Sequence, residues 1–167
     1  MTSTPKSVDT AWRIHAAIGE WTARVDTKAS FALTLESAAL AGVVALSDKG
    51  RLFSDLHGWS TRALLWAGSV LILAGALLAI LVVVPRLRSR KTLEQEAGQS
   101  FIYFGHLQFW KPAELEAALE QQNVLSVLSH QLVNMSKIAW RKHRFVQLSF
   151  LLAAIGGGFV FVAGLAA

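Results

Sequence analysis

The sequence contains no cysteine, which excludes a disulfide scaffold and thiol chemistry and removes the usual ligands of a structural zinc site. Its histidines, at positions 15, 57, 106, 130 and 143, show no HExxH or other local metal spacing. No GxSxG elbow, P-loop or GxGxxG run occurs, so no catalytic residue, metal or cofactor is expected. Charged residues are sparse, at 16%. A secretory signal is missing too. It would place a short apolar core behind a basic start, whereas residues 1–28 carry Asp9, Glu20 and Asp26 and no apolar run. The first hydrophobic segment is therefore expected to be retained rather than cleaved. Internal repeats and low-complexity linkers are absent.

What the chain has in excess is apolar sequence. Hydrophobic residues make up 53% of the 167, above the about 45–50% of a soluble domain on a count that also includes glycine, and they are clumped. Ala29–Leu46 is close to the lower length limit of a membrane span. The run LLWAGSVLILAGALLAILVVV is uncharged and is stopped by Pro85, and FVQLSFLLAAIGGGFVFVAGLAA, from Phe145 to Ala167, is uncharged throughout. At 1.5 Å per residue the last two reach about 33 Å, enough to cross a hydrocarbon core of ~30 Å. The first crosses only if its helix extends back through Lys28 or the bilayer is locally thin.

Lys and Arg set the orientation of such segments. Four precede the first segment (Lys6, Arg13, Arg24, Lys28) and nine lie in 85–144, whereas Lys49, Arg51 and Arg62 are the only three in 47–62. The expected layout is a cytoplasmic amphipathic helix (1–28), a first transmembrane helix (29–46), a periplasmic loop (47–62), a second transmembrane helix (63–85), a cytoplasmic helical domain (86–144) and a third transmembrane helix (145–167). The fold class is thus an all-α membrane protein, with three transmembrane helices and a small helical cytoplasmic domain. Its N-terminus is expected in the cytoplasm and its C-terminus in the periplasm. A two-span arrangement with a peripheral first helix is the alternative.

Within 1–28, Ile14, Ile18, Trp21 and Val25 recur at helical spacing, and the helix is expected to run into the first span. In the insert, QSFIYFGHLQFW is the segment where irregular structure or strand competes with helix. Pro112 can open a helix, and EQQN at 120–123 can break it. The GGG at 156–158 lies inside a span, where it suits close helix packing. The basic cluster Arg86 to Lys91 is read as an orientation signal and lipid anchor.

Glu36 is the anomaly. Two turns beyond Lys28, it falls inside the first span, where an acidic residue costs about 2.5–3.5 kcal/mol on insertion scales. Thr34 and Ser37 flank it. Either it is a protonated carboxyl hydrogen-bonded between helices, or it lines an assembled pore with Thr34 and Ser37. Asp26 and Lys28, at the membrane mouth, are either a solvated pair with a snorkelling lysine or a hinge between the amphipathic helix and the span.

VDTKAS at the mouth of the first span, YFGHL at 103–107 and LSHQLVNMSKIAWRK leading into the last span together resemble the transmembrane effectors of bacterial Pycsar antiphage systems, over roughly residues 12–165. The resemblance implies an effector in the bacterial inner membrane. A pyrimidine cyclase encoded next to it would make cyclic UMP or cyclic CMP during infection, and the effector would respond by impairing the membrane and causing abortive infection. A standard cyclic-nucleotide-binding β-roll does not fit an insert that reads as mostly helical. If the insert binds the nucleotide, the aromatic residues around Tyr103 and Trp110 are a stacking surface, with Lys111, Arg90 or Lys137 near the cyclic phosphate and Arg24 a further candidate contact; otherwise those aromatics are the core of a small bundle. A homo-oligomer with its ligand site between subunits is expected, with membrane lipid and no nucleic acid as partners. The competing reading is a structural or accessory membrane protein, or a channel subunit, without a nucleotide ligand.

Overall fold

The computed structural model describes every residue except 1–4, 55, 57, 86–88 and 99, so Arg86, Arg88 and His57 lie outside the described residues. Six helices follow one another, and no strand occurs among the described residues: α1 (Pro5–Leu46), α2 (Trp59–Val83), α3 (Arg90–Ala97), α4 (Phe104–Leu107), α5 (Pro112–Gln121) and α6 (Val124–Leu165). Their limits follow from local chemistry. The turn after α1 holds Gly50 at a φ of 73°, and α2 starts after Gly58 at 96°, both conformations that suit glycine. Val84 ends α2 in extended conformation, because Pro85 pushes the residue before it out of the helical region. Pro112 occupies the first turn of α5, where its missing N–H costs nothing. Residues 122–123 separate α5 from α6. Asn123 starts α6 by accepting the Leu125 N–H on its side-chain oxygen at 3.1 Å.

Among the described residues, three helices, α1, α2 and α6, are long and apolar enough to cross a membrane. At 42 residues each, α1 and α6 are about 63 Å long, twice a hydrocarbon core. The short first apolar segment is therefore carried inside one uninterrupted helix.

The chain divides into two compact units. The three-helix unit comprises Ala23–Val84 and Arg141–Ala167. At one end of it Val25 and Ala29 of α1 pack with Val82 of α2 and Val146 of α6. At the other, Phe53 and Leu56 of the α1–α2 loop pack with Leu65 and Ala163, beside Val43. These pairings make α1 and α6 parallel and α2 antiparallel to both. Between the two ends the backbones of α2 and α6 approach closely: a Cβ on Gly68 would lie 2.6 Å from the Gly156 carbonyl oxygen, and one on Gly156 equally close to that of Gly68. Of the three consecutive glycines only Gly156 makes this approach, since Gly157 and Gly158 face open space. Outward faces are strongly apolar, with Phe31, Val44, Trp66 and Phe161 each at least 60% exposed. Water would penalise such a surface and lipid would cover it.

The insert unit comprises Met1–Thr22 and Pro85–Trp140. Its buried apolar residues include Ala11, Ile18, Leu93, Phe101, Ala118 and Leu128, and α3 packs on α4. The amphipathic stripe of α1 differs from the spacing read in the sequence. Ile18 and Val25 are buried, but Ile14 and Trp21 are 45% and 55% exposed. The buried line runs instead through Ala11, Ile18, Val25, Ala29, Ala32 and Glu36. It is built largely of alanines, whose small side chains bring neighbouring helices close and give little hydropathy signal.

This packing separates the glycines experimentally. Gly156→Ala is expected to lower stability by about 1–3 kcal/mol, the cost of overpacking a tight contact. Gly158→Ala is expected to be neutral or stabilising by up to about 1 kcal/mol, from helix propensity alone. The measurement is the thermal unfolding midpoint of both variants in detergent; equal midpoints would contradict the α2–α6 approach.

Candidate functional site

Among the described residues, buried side-chain polar atoms without a hydrogen-bond partner occur at Glu36 and at His106, one in each unit. In the three-helix unit, Glu36 is 2% exposed. Ser149 of α6, which is fully buried, donates its hydroxyl proton to Glu36 Oε1 at 2.8 Å. The same carboxyl group rests on bare backbone of α2: a Cβ on Gly75 would lie 2.7 Å from Oε1 and 3.0 Å from the Ser149 carbonyl oxygen. One contact thus draws on all three long helices. Glu36 Oε2 is buried without a hydrogen-bond partner, and an unsatisfied buried acceptor costs about 1–3 kcal/mol. Toward the end of the unit that holds Val25 and Val146, the Lys142 ammonium lies 2.6 Å from Asp26 Oδ1, with both side chains partly exposed. Asp26 is therefore paired with α6, whereas Lys28, on an exposed position of α1, is not the partner that the sequence suggests.

The polar groups grouped from the sequence as one intramembrane set are split by the helix. Glu36 points into the three-helix contact, while Thr34 and Ser37 lie on exposed positions. Thr34 donates its hydroxyl proton to its own helix at the Ser30 carbonyl, 3.0 Å away. Within the chain, Glu36 thus makes a hydrogen bond between helices α1 and α6.

In the insert unit a cleft of about 780 Å³ opens between the α3–α4 segment and one face of α6. Glu96, Tyr103 and His106 line one side, and His130, Asn134 and Lys137 the other. The three α6 residues are spaced by four and three, so they share a face. His106 is 5% exposed, and neither ring nitrogen has a hydrogen-bond partner. Its Nε2 lies 3.6 Å from Glu96 Oε2, too long for a hydrogen bond. The Tyr103 ring meets the His106 ring edge-on at 5.4 Å between centroids. Gly105 makes that position possible, since a Cβ there would collide with the Tyr103 ring.

Of the residues proposed from the sequence as ligand contacts, Tyr103 and Lys137 meet in this cleft. Trp110 and Lys111 do not line it. Trp110 donates its indole N–H to the Ser100 carbonyl at 3.2 Å and stands edge-on to buried Phe101, which makes it part of the packing of the insert unit. The Lys111 ammonium is exposed and lies 3.2 Å from Glu114. Arg24 belongs to the other unit. His106, His130 and Asn134 also line the cleft and are not among the candidate contacts read from the sequence. The available signal was the spacing of Ser126, His130, Asn134 and Lys137, a polar line on the face of α6 opposite Leu125, Leu128 and Leu132. No group of acidic, histidine or cysteine side chains suited to a metal ion occurs among the described residues.

A family model described as Pycsar effector protein domain matches residues 10–167, which covers both units. No curated protein and no solved structure matches the chain.

The Glu36–Ser149 hydrogen bond sets an expected energetic pattern. Ser149→Ala leaves both carboxyl oxygens without a partner and is expected to cost about 1–3 kcal/mol. In a Glu36→Leu background the same change should cost little, because the interaction it removes is already gone. Thermal unfolding of the two single variants and the double variant in detergent measures the coupling. Additive losses would show that the hydrogen bond contributes nothing.

Proposed function

The chain belongs to the Pycsar effector family, and from that membership we propose that it is the membrane-impairing arm of its antiphage system, responding to cyclic UMP or cyclic CMP. The observation that carries this reading is the extent of the family match, residues 10–167: it takes in the three helices of membrane-spanning length together with the insert unit. The inner membrane is the proposed location, with the N-terminus and the insert unit in the cytoplasm, where a nucleotide made by a neighbouring pyrimidine cyclase would be met. The excess of Lys and Arg in those segments supports that orientation. No catalytic step is assigned to the chain. Membrane lipid and further copies of the chain are its proposed partners, and nucleic acid is not.

The proposed response runs through α6. This one helix carries cleft residues of the insert unit and, further along, Lys142 and Ser149 of the three-helix unit. A small turn or slide of α6 on ligand binding would change how Lys142 meets Asp26 and how Ser149 meets Glu36. Losing the second contact leaves a carboxyl group among apolar side chains, a state that favours rearrangement toward water or toward another copy.

In cells supplied with cyclic UMP or cyclic CMP by a pyrimidine cyclase, wild-type chain is expected to depolarise the membrane, read with a potential-sensitive dye. Glu36→Leu should reach the membrane at the same level or higher and fail to depolarise. Glu36→Gln should retain partial activity, since the side-chain oxygen that accepts from Ser149 is kept. Depolarisation by Glu36→Leu equal to wild type would remove the carboxyl group from the mechanism; no depolarisation by wild type would overturn the functional reading. A reporter fused after Ala167 is expected to read periplasmic and one inserted near Gln121 cytoplasmic. Reports from the same side would refute the orientation.

A further inference from the structure

Resting on the reading that the ligand is a cyclic pyrimidine nucleotide, we propose that the cleft of the insert unit is its binding site, with the base at Glu96 and His106 and the cyclic phosphate at Lys137. The starting point is the unsatisfied imidazole. His106 is 5% exposed and both its ring nitrogens lack a partner, although the great majority of buried polar side chains in folded proteins are hydrogen-bonded. This one lines a cavity of about 780 Å³, within the usual size range of small-molecule sites, about 300–1,000 Å³. A bound molecule would supply the partners that the chain does not.

The chemistry around it selects the molecule's polarity. Glu96 offers a carboxylate acceptor, and His106, with its N–H on Nε2, offers a donor 3.6 Å away. A pyrimidine base presents the complement on its pairing edge. Uracil has a donor at N3 beside the acceptor O4; cytosine has an acceptor at N3 beside the donor 4-amino group. Either edge satisfies the Glu96–His106 pair, with the carboxylate accepting and the imidazole donating, so this pair grips both pyrimidines without telling them apart. The Tyr103 ring, edge-on to His106, stands where a planar base can contact it. The phosphate cannot share the Glu96 end, because two anions would meet there. Lys137 is the one lysine or arginine among the cleft-lining residues, and a cyclic phosphodiester is a monoanion that needs one cation. His130 and Asn134, on the same face of α6, lie between the α6 positions of Ser126 and Lys137 and can donate to the ribose or phosphate oxygens. Charge and donor pattern therefore orient the ligand along the cleft, and place its phosphate on the helix that continues to Lys142 and Ser149.

The test is isothermal titration calorimetry of the full chain in detergent with cyclic UMP and with cyclic CMP. Wild type is compared with His106→Phe, which keeps the ring volume and removes both nitrogens, and with Lys137→Gln. Lys137 is exposed, so its replacement does not disturb the fold; Lys49→Gln, in the α1–α2 loop, is the charge-matched control. Wild type should bind at least one nucleotide. His106→Phe and Lys137→Gln should each weaken binding tenfold or more, and Lys137→Gln should also flatten the salt dependence of the dissociation constant. Lys49→Gln should bind as wild type does. If wild type binds neither nucleotide, the ligand reading fails and the site assignment with it. If wild type binds and both cleft variants, with unchanged helical circular dichroism, bind equally well, the site assignment alone fails. A loss confined to Lys137→Gln would overturn the placement of the base at His106.

Discussion

The membrane-length part of this chain is organised around a single carboxyl group that has no cheap place to go. Glu36 is 2% exposed inside the three-helix unit, and its neighbours Ser149 and Gly75 accommodate it. Ser149 supplies the one hydrogen bond. Gly75 supplies the space, because any side chain there would strike Oε1. The room for Gly75 and Ser149 to approach Glu36 together requires α2 and α6 to be close, which the Gly68–Gly156 approach provides. Between membrane helices, without a hydrophobic driving force for association, small residues and interhelical hydrogen bonds set the packing. The Gly75, Ser149 and Glu36 cluster is that rule realised in three helices, with one oxygen, Oε2, still unsatisfied.

The family-like sequence motifs gain a physical meaning from the contacts they make. Asp26 of VDTKAS pairs with Lys142 at the end of LSHQLVNMSKIAWRK. Tyr103 and His106 of YFGHL face His130 and Lys137 of that same stretch across the cleft. The glycine of YFGHL lets the Tyr103 ring pack where a Cβ would collide. The long motif on α6 therefore has two sets of partners, one in each unit.

How much of this was legible follows from what a sequence records. The three long helices were visible because apolar runs of span length are a one-dimensional signal, and the break at 122–123 because EQQN interrupts a helical stripe. Glu36 was visible as an anomaly, but its partner was not. Ser149 is 113 residues away, inside QLSFLL, and a lone serine in an apolar run marks nothing by itself. Trp110 and Lys111 read in the sequence as a ring and a cation beside the helix start at Pro112; in the structure Trp110 packs on Phe101, Lys111 meets Glu114, and neither lines the cleft. His106 has no spaced companion in the sequence to mark it, and its want of a hydrogen-bond partner exists only in three dimensions. The buried stripe of α1 was misplaced for a related reason, since alanines at closely packed positions carry little hydropathy contrast beside an isoleucine or a tryptophan.

The distribution of polar atoms in the three-helix unit also separates satisfied groups from an unsatisfied one. Thr27, Ser30 and Thr34 lie on exposed positions of α1, but each hydroxyl donates to a carbonyl of its own helix four residues back. Back-bonded hydroxyls of this kind are satisfied without water or a partner helix. They give that face polarity without giving it a reason to leave lipid. Asp26 and Lys142 have each other, and partial exposure besides. Glu36 Oε2 alone, among these groups, gains a partner from any rearrangement that admits water or another polar side chain. Its carboxyl group is held where it is by Ser149, which belongs to the helix that also lines the cleft. Of these polar groups in the three-helix unit, Glu36 therefore has the most to gain from moving.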